Sequence, residues 1–237
     1  VPELGHSNLP VIHALAEMLQ AAGFAVEVLP LPGQPDKANL LARLGQGPGG
    51  LVLAGHTDTV PYDQALWQSD PFKLEERDGK LYGLGAADMK AFLALALEAA
   101  EHVEADRLRA PLMILATADE ETSMDGARAL LSWQRPKARH AIIGEPTDLR
   151  AVRAHKGIMM ERLRVLGRSG HSSDPALGNS ALDGMTRVLG ALLTLRGELQ
   201  ARYQNPLFAL PVPTLNLGRI QGGDSPNRIC GECELDM

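Results

Sequence analysis

Three apolar runs of strand length each end in residues that could bind a cation or move a proton. Residues 51–54 lead into Gly55-His56-Thr57-Asp58, residues 112–118 into Asp119-Glu120-Glu121, and residues 141–144 into Glu145-Pro146. A further acid, Asp88, follows Gly83 and Gly85 in a loop ahead of a helix-forming stretch. One imidazole and up to four carboxylates form a nitrogen-and-oxygen donor set that suits a divalent ion, catalytic zinc in particular. The set exceeds what one tetrahedral ion requires, and suits two ions about 3.5–4 Å apart bridged by one carboxylate. Neighbours on extended backbone point to opposite sides. One of Glu120 and Glu121 can therefore bind metal while the other faces a water whose pKa the metal lowers towards about 7, and takes its proton.

Each residue alone also has a plain structural reading. His56 is then a strand-end histidine and Asp58 a turn acid between Thr57 and Thr59. Asp88 becomes a helix N-cap, Glu120 and Glu121 first-turn acids suited to a helix dipole, and Glu145 an exposed residue before a proline. What favours a site is that all of them fall at the ends of apolar strands or in one glycine-rich loop.

The elements that must position these residues follow from periodicity and punctuation. Asn8 as N-cap and Pro10 in the first turn predict a helix over 9–22, stopped by Gly23, with Val11, Ile12, Leu15, Met18 and Leu19 on one face. A strand over 24–29 ends at Pro30, Pro32, Gly33 and Pro35, which break the chain, and a second strand covers 39–44. Asp78-Gly79 predicts a hairpin turn. Residues 89–103 are apolar nearly all round, which predicts a helix buried on most sides. A helix over 125–133 separates the strands at 112–117 and 141–144. This alternation predicts an α/β fold with a mostly parallel sheet covered by helices, and such sheets bind ligands at the carboxyl ends of their strands.

The style changes after about residue 154. A strand over 157–167, a turn at Ser169-Gly170-His171-Ser172-Ser173, a helix over 176–203 and strands over 214–220 and 227–237 predict a smaller α+β domain. It is an open-faced sandwich whose sheet edge could pair with a second copy. The expected division is 1–155 for the first domain and 156–237 for the second.

A net charge of -6 argues against nucleic acid as the main partner, because phosphate binding needs a basic face. No run of eighteen apolar residues occurs, so no membrane span is expected, and no signal peptide is recognised, which leads to a cytoplasmic expectation. Cys230 and Cys233 read as plain reduced thiols in a strand, since no further zinc ligands follow them. Residue 1 is Val, and Met237 falls within an apparent strand, so the chain reads as a piece of a longer protein.

The segments Gly55-His56-Thr57-Asp58-Thr59-Val60-Pro61, Gly83-Leu84-Gly85-Ala86-Ala87-Asp88-Met89-Lys90, Asp119-Glu120-Glu121 and Gly144-Glu145-Pro146 resemble the signatures of the M20 family of metallopeptidases and deacylases. Ala154-His155-Lys156-Gly157, Gly170-His171-Ser172-Ser173-Asp174-Pro175 and Asn227-Arg228-Ile229 extend the resemblance over essentially the whole chain. It lies closest to the branch that releases acetate from N2-acetyl-L-ornithine. The resemblance implies a zinc-peptidase-like catalytic domain with a lid, two zinc ions per site with cobalt as a possible substitute, and a homodimer formed through the lid. It implies that His56 and Glu145 bind one zinc, Glu121 the other, and Asp88 both, with the peptide bond after Asp88 often cis. Glu120 becomes the general base and later the acid, and Asp58 orients His56. His171 reaches the partner protomer's site to stabilise the oxyanion, and Asn227 and Arg228 lie on the substrate side of the lid. One more ligand, a histidine beyond Met237, is implied; His6, His13, His102, His140 and His155 do not match its motif. The chain as given is then expected to hold metal weakly and to lack normal turnover. The alternatives are succinyl-diaminopimelate desuccinylase or another N-acyl amino acid deacylase of the family, and a non-catalytic dimerisation module.

Overall fold

The computed structural model describes residues 7–237, so His6 lies outside the described residues. The chain divides into two compact units, with the boundary between Ala151 and Val152.

The first unit is built on a five-stranded sheet of β1 (Ala25–Leu31), β2 (Gln34–Leu44), β3 (Leu51–His56), β6 (Leu112–Thr117) and β7 (His140–Ile143), in the order β1-β2-β6-β3-β7. Strand β2 is antiparallel to both its neighbours, while β3 is parallel to β6 and β7. Four of the five strands therefore run the same way, and β3, β6 and β7 deliver their carboxyl ends to one edge.

Alternation along β2 and β6 divides the core between the two faces. Ala38, Leu40, Ala42, Leu44, Ile114 and Ala116 meet α1 (Leu9–Ala21) and α2 (Lys90–Glu101). Leu41, Met113 and Leu115 meet Leu130 of α3 (Asp125–Trp133) on the other face. Each fully buried leucine or isoleucine side chain here contributes roughly 1.5–3 kcal/mol.

Several local expectations are corrected. Pro30 does not end its strand. Strand β1 lies at the sheet edge, where a missing N–H disturbs no second ladder, so it runs to Leu31 and Pro32-Gly33 makes a tight turn into a longer β2. Asn8 is the N-cap position of α1, but its side chain makes no cap. It donates to the Ala38 carbonyl and to Thr57 Oγ1 and accepts from the Ala38 amide, tying α1 to the sheet. The buried stripe of α1 is Ile12, Leu15, Ala16 and Leu19, which leaves Val11 and Met18 exposed. Helix α2 is not buried on most sides. Leu93, Ala96, Leu97 and Ala100 pack at helical spacing, and Leu95, on the far face, is 61% exposed. The hairpin of β4 (Glu75–Arg77) and β5 (Lys80–Tyr82) turns at Asp78-Gly79, both with positive φ, as its sequence predicts.

The second unit is a three-stranded antiparallel sheet of β8 (Arg162–Leu166), β10 (Glu232–Asp236) and β9 (Arg219–Gly222), in the order β8-β10-β9. Helix α4 (Ala181–Arg202) covers one face through Ala181, Met185 and Leu192, packed with Leu235 and the two free, buried cysteines. The other face carries Arg162, Arg164, Glu232, Glu234 and Asp236 in exposed ion pairs. The helix is shorter than expected because Gly178 is extended and Ser180 caps it, its hydroxyl accepting from the Asp183 amide. The three strands are also shorter, since regular pairing covers only the residues aligned on β10. Cys230 accordingly precedes its strand and donates its S–H to the Glu232 carbonyl. Among the described residues no helix is long and apolar enough to cross a membrane.

Candidate active site

Strand β3 ends by delivering His56, 2% exposed, to the carboxyl edge of the sheet. The backbone continues beside β6, where the Thr57 amide donates to the Thr117 carbonyl. His56 Nδ1 faces the Asp58 carbonyl at 3.0 Å and the Asp58 carboxylate at 3.6 Å. Its Nε2 faces the other way, 3.1 Å from Asp88 and 3.9 Å from Glu145. A carbonyl at Nδ1 requires the proton there and leaves Nε2 as the ligand atom. Burial disfavours charge on the ring, but Asp58 and Glu145 prevail and lift its pKa to about 9.

Asp88 arrives from the loop that follows Gly85, and its peptide bond to Met89 is cis. It is not the N-cap of α2, which is Met89. Glu145 is placed by a close approach. A Cβ on Gly144 would lie 1.9 Å from the Phe92 ring of α2, so only glycine lets the chain pass there.

The double-glutamate turn is held by its backbone. Asp119 adopts φ +57, a left-handed conformation that costs a non-glycine residue energy. The Glu120 and Glu121 amides then donate to the two oxygens of Asp58 at 3.1 and 3.0 Å. These amides and His56 hold the Asp58 carboxyl below its ordinary pKa, although burial opposes them. Glu121 and Glu145 are displaced upward, by burial first and then by the acids around them.

Two groups of ligand atoms lie within 4.8 Å of one another among the described residues: His56 with Glu120 and Glu121, and His56 with Asp88 and Glu145. His56, rather than Asp88, is common to both. Burial and neighbouring acids disfavour charge on Glu121 and Glu145 beside an imidazole nitrogen, which a divalent cation would relieve, so the donor set fits such an ion.

Two features escaped the sequence reading. The Asp58 clamp on the Glu120 and Glu121 amides spans more than 60 residues and leaves no local signal. Lys90 lies against the same loop: a Cβ on Gly85, at φ +79, would meet its Nζ at 2.2 Å. Burial lowers the Lys90 pKa, opposed by Asp58 and Asp88. Its place two residues after Asp88 was the only available hint.

The second unit gathers the remaining candidates. His171 pairs with Arg228 in an isolated antiparallel bridge, and the Ser172 amide donates to the Asn227 carbonyl. The Ser173 amide donates to His171 Nδ1 at 3.2 Å, with the Ser173 hydroxyl 2.7 Å from the same nitrogen. Nδ1 is thus the acceptor, and the neutral ring carries its proton on Nε2. Arg228 pairs with Asp224, and Asn227 accepts from Ser225.

A family model described as peptidase family M20/M25/M40 matches residues 52–229. Curated relatives include the acetylornithine deacetylases of Pasteurella multocida strain Pm70, 53% identical, and Pectobacterium carotovorum subsp. carotovorum strain PC1, 54% identical. Each alignment spans 234 residues, 99% of this chain and 61% of the relative. Among solved structures, a tripeptidase from Staphylococcus aureus subsp. aureus Mu50 superposes with a TM-score of 0.64 at 20% identity, over 95% of this chain and 59% of that one. Human carnosine dipeptidase 1 does so with a TM-score of 0.59 at 20% identity, over 100% and 64%. At such identity the two structures speak for the fold alone. The family model covers well over half of the sequence, and on that ground the chain belongs to peptidase family M20/M25/M40.

Proposed function

We propose that the whole protein is a cytoplasmic, zinc-dependent amide hydrolase of arginine biosynthesis that converts N2-acetyl-L-ornithine to acetate and L-ornithine. The carrying observation is the His56-centred pair of carboxylate groups at the sheet edge, with the Glu120-Glu121 backbone clamped by Asp58. The relatives named acetylornithine deacetylase support the choice of substrate.

His56, Asp88, Glu121 and Glu145 would hold the divalent ions, with zinc or cobalt filling the sites. A divalent ion held there would supply Lewis acidity towards the amide carbonyl and lower the pKa of a nearby water. His56 offers Nε2 because Asp58 occupies Nδ1. Glu120, aimed by the Asp58 clamp, takes the proton of the attacking water and returns it to the departing α-amine. His171 donates Nε2–H to the developing oxyanion in the partner's site, within a homodimer formed through the second unit. Asn227 and Arg228 contact the substrate's charged end.

Kinetics of the full-length protein with matched N2-acetyl and N2-succinyl amino acids test this reading. N2-acetyl-L-ornithine should give the highest kcat/KM, at least tenfold above any succinyl substrate. Preference for a succinyl substrate would move the assignment to the desuccinylases.

A further inference from the structure

Strand β2 contributes no metal ligand, yet three of its side chains reach the turn that carries Glu120 and Glu121. Gln34 Nε2 donates to Asp125 at 2.7 Å. Asn39, fully buried, accepts from the Ala118 amide and donates to the Gly126 carbonyl, closing the two ends of the turn. Lys37 Nζ lies 2.6 and 2.7 Å from the two oxygens of Asp119, which is itself 7% exposed. Lys37, Asn39 and Leu41 share one face of β2 by the two-residue period, and Leu41 places that face towards α3.

Asp119 is the residue whose left-handed backbone turns the chain out of β6 and sets the direction of Glu120 and Glu121. Its carbonyl also accepts from the amides of Thr122 and Met124. An ion pair in such a place adds little net stability, because desolvation offsets the attraction. What a clamp on both carboxylate oxygens does supply is geometry.

We propose that Lys37 is a positioning residue for the double-glutamate turn, acting through Asp119 to hold Glu120 and Glu121 at the reacting groups. Asp58 grips the same turn by its amides from the side of β3, so the two acids are held between two strands. The proposal rests on the reading of Glu120 and Glu121 as base and ligand.

The test uses the full-length protein with Lys37→Met, Lys37→Arg, Asp119→Asn and the Lys37→Met/Asp119→Asn double variant, beside Glu120→Gln. Loss of an outer support of a metal site costs 10–100-fold in affinity or activity. Lys37→Met should lower kcat by about 10–100-fold while KM for N2-acetyl-L-ornithine moves less than about threefold. Zinc affinity, measured by chelator competition, should fall by about tenfold. Lys37→Arg should recover most of both losses, and the double variant should be no worse than Lys37→Met. Wild-type kcat and zinc affinity in Lys37→Met, with only a lower melting temperature, would overturn the proposal. Additive losses in the double variant would also overturn it, since they would mean that Lys37 acts other than through Asp119. Should Lys37→Met fail to fold, Asp119→Asn decides: normal kcat and zinc affinity there would refute the clamp. Normal turnover by Glu120→Gln would instead refute the functional reading on which the proposal rests.

Discussion

The two units each present a histidine among polar partners, and they hold it by opposite means. His56 is buried at a strand end and its surroundings come from distant sequence: Asp88 from a loop, Glu145 from just beyond the end of β7, and Glu120 and Glu121 held through Asp58. His171 is exposed, and its ring is held by Ser173 two residues away. The first arrangement suits groups that must share a charge at set distances, where movement by an ångström is costly. The second suits a donor that needs one defined proton and freedom to be approached.

The contrast is sharpest under substitution. In the full-length protein His171→Ala should lower kcat by about 10²–10³-fold, the cost of losing one oxyanion donor. Zinc content and melting temperature should stay nearly unchanged, because the ring is exposed and its partner Ser173 lies two residues away. Asp58→Ala should do the reverse on the second count, lowering both zinc affinity and melting temperature. Equal losses of melting temperature in the two variants would break the distinction.

A smaller effect is expected from pH. The folded pKa of His56, about 9, stands above the ordinary 6.5, so between these values the folded state binds more proton than the unfolded one. In chelator-treated protein this stabilisation, up to about 3 kcal/mol, is fully present below pH 6.5 and lost as pH rises through 9. Thermal melts from pH 6 to 9 should therefore fall without metal. Saturating zinc, which occupies Nε2 in place of the proton, should remove that decline. A flat profile in the metal-free protein would show that His56 is not held as a charged ring.

How much of this was legible in the sequence follows from the same contrast. His56, Glu120, Glu121 and Glu145 could be found because apolar strands advertise their ends, and sheet topology then gathers those ends. Asp88 needed the glycine-rich loop as well. Asp58 was legible only as a partner of His56, and the clamps on the double-glutamate turn could not be found. Asp58 acts on amides 62 and 63 residues away, and Lys37 meets Asp119 82 residues on, through the β2–β6 register that no local pattern encodes. The boundary errors have physical causes too. Pro30 is tolerated at a sheet edge, and the strands of the second unit extend only where β10 can pair them. The turn that holds His171 gave no chemical signal beyond its resemblance to a motif.

The central question is whether these strand ends form a metal-dependent catalytic centre. The direct measurement is hydrolysis of N2-acetyl-L-ornithine by the full-length protein after chelation and during stepwise return of zinc, wild type beside Glu120→Gln. Wild-type activity should vanish with the metal and return in proportion to the zinc bound. Glu120→Gln should bind the same zinc and remain about 10²–10⁴-fold slower. Activity that survives chelation, or a Glu120→Gln variant that turns over as the wild type does, would contradict this reading.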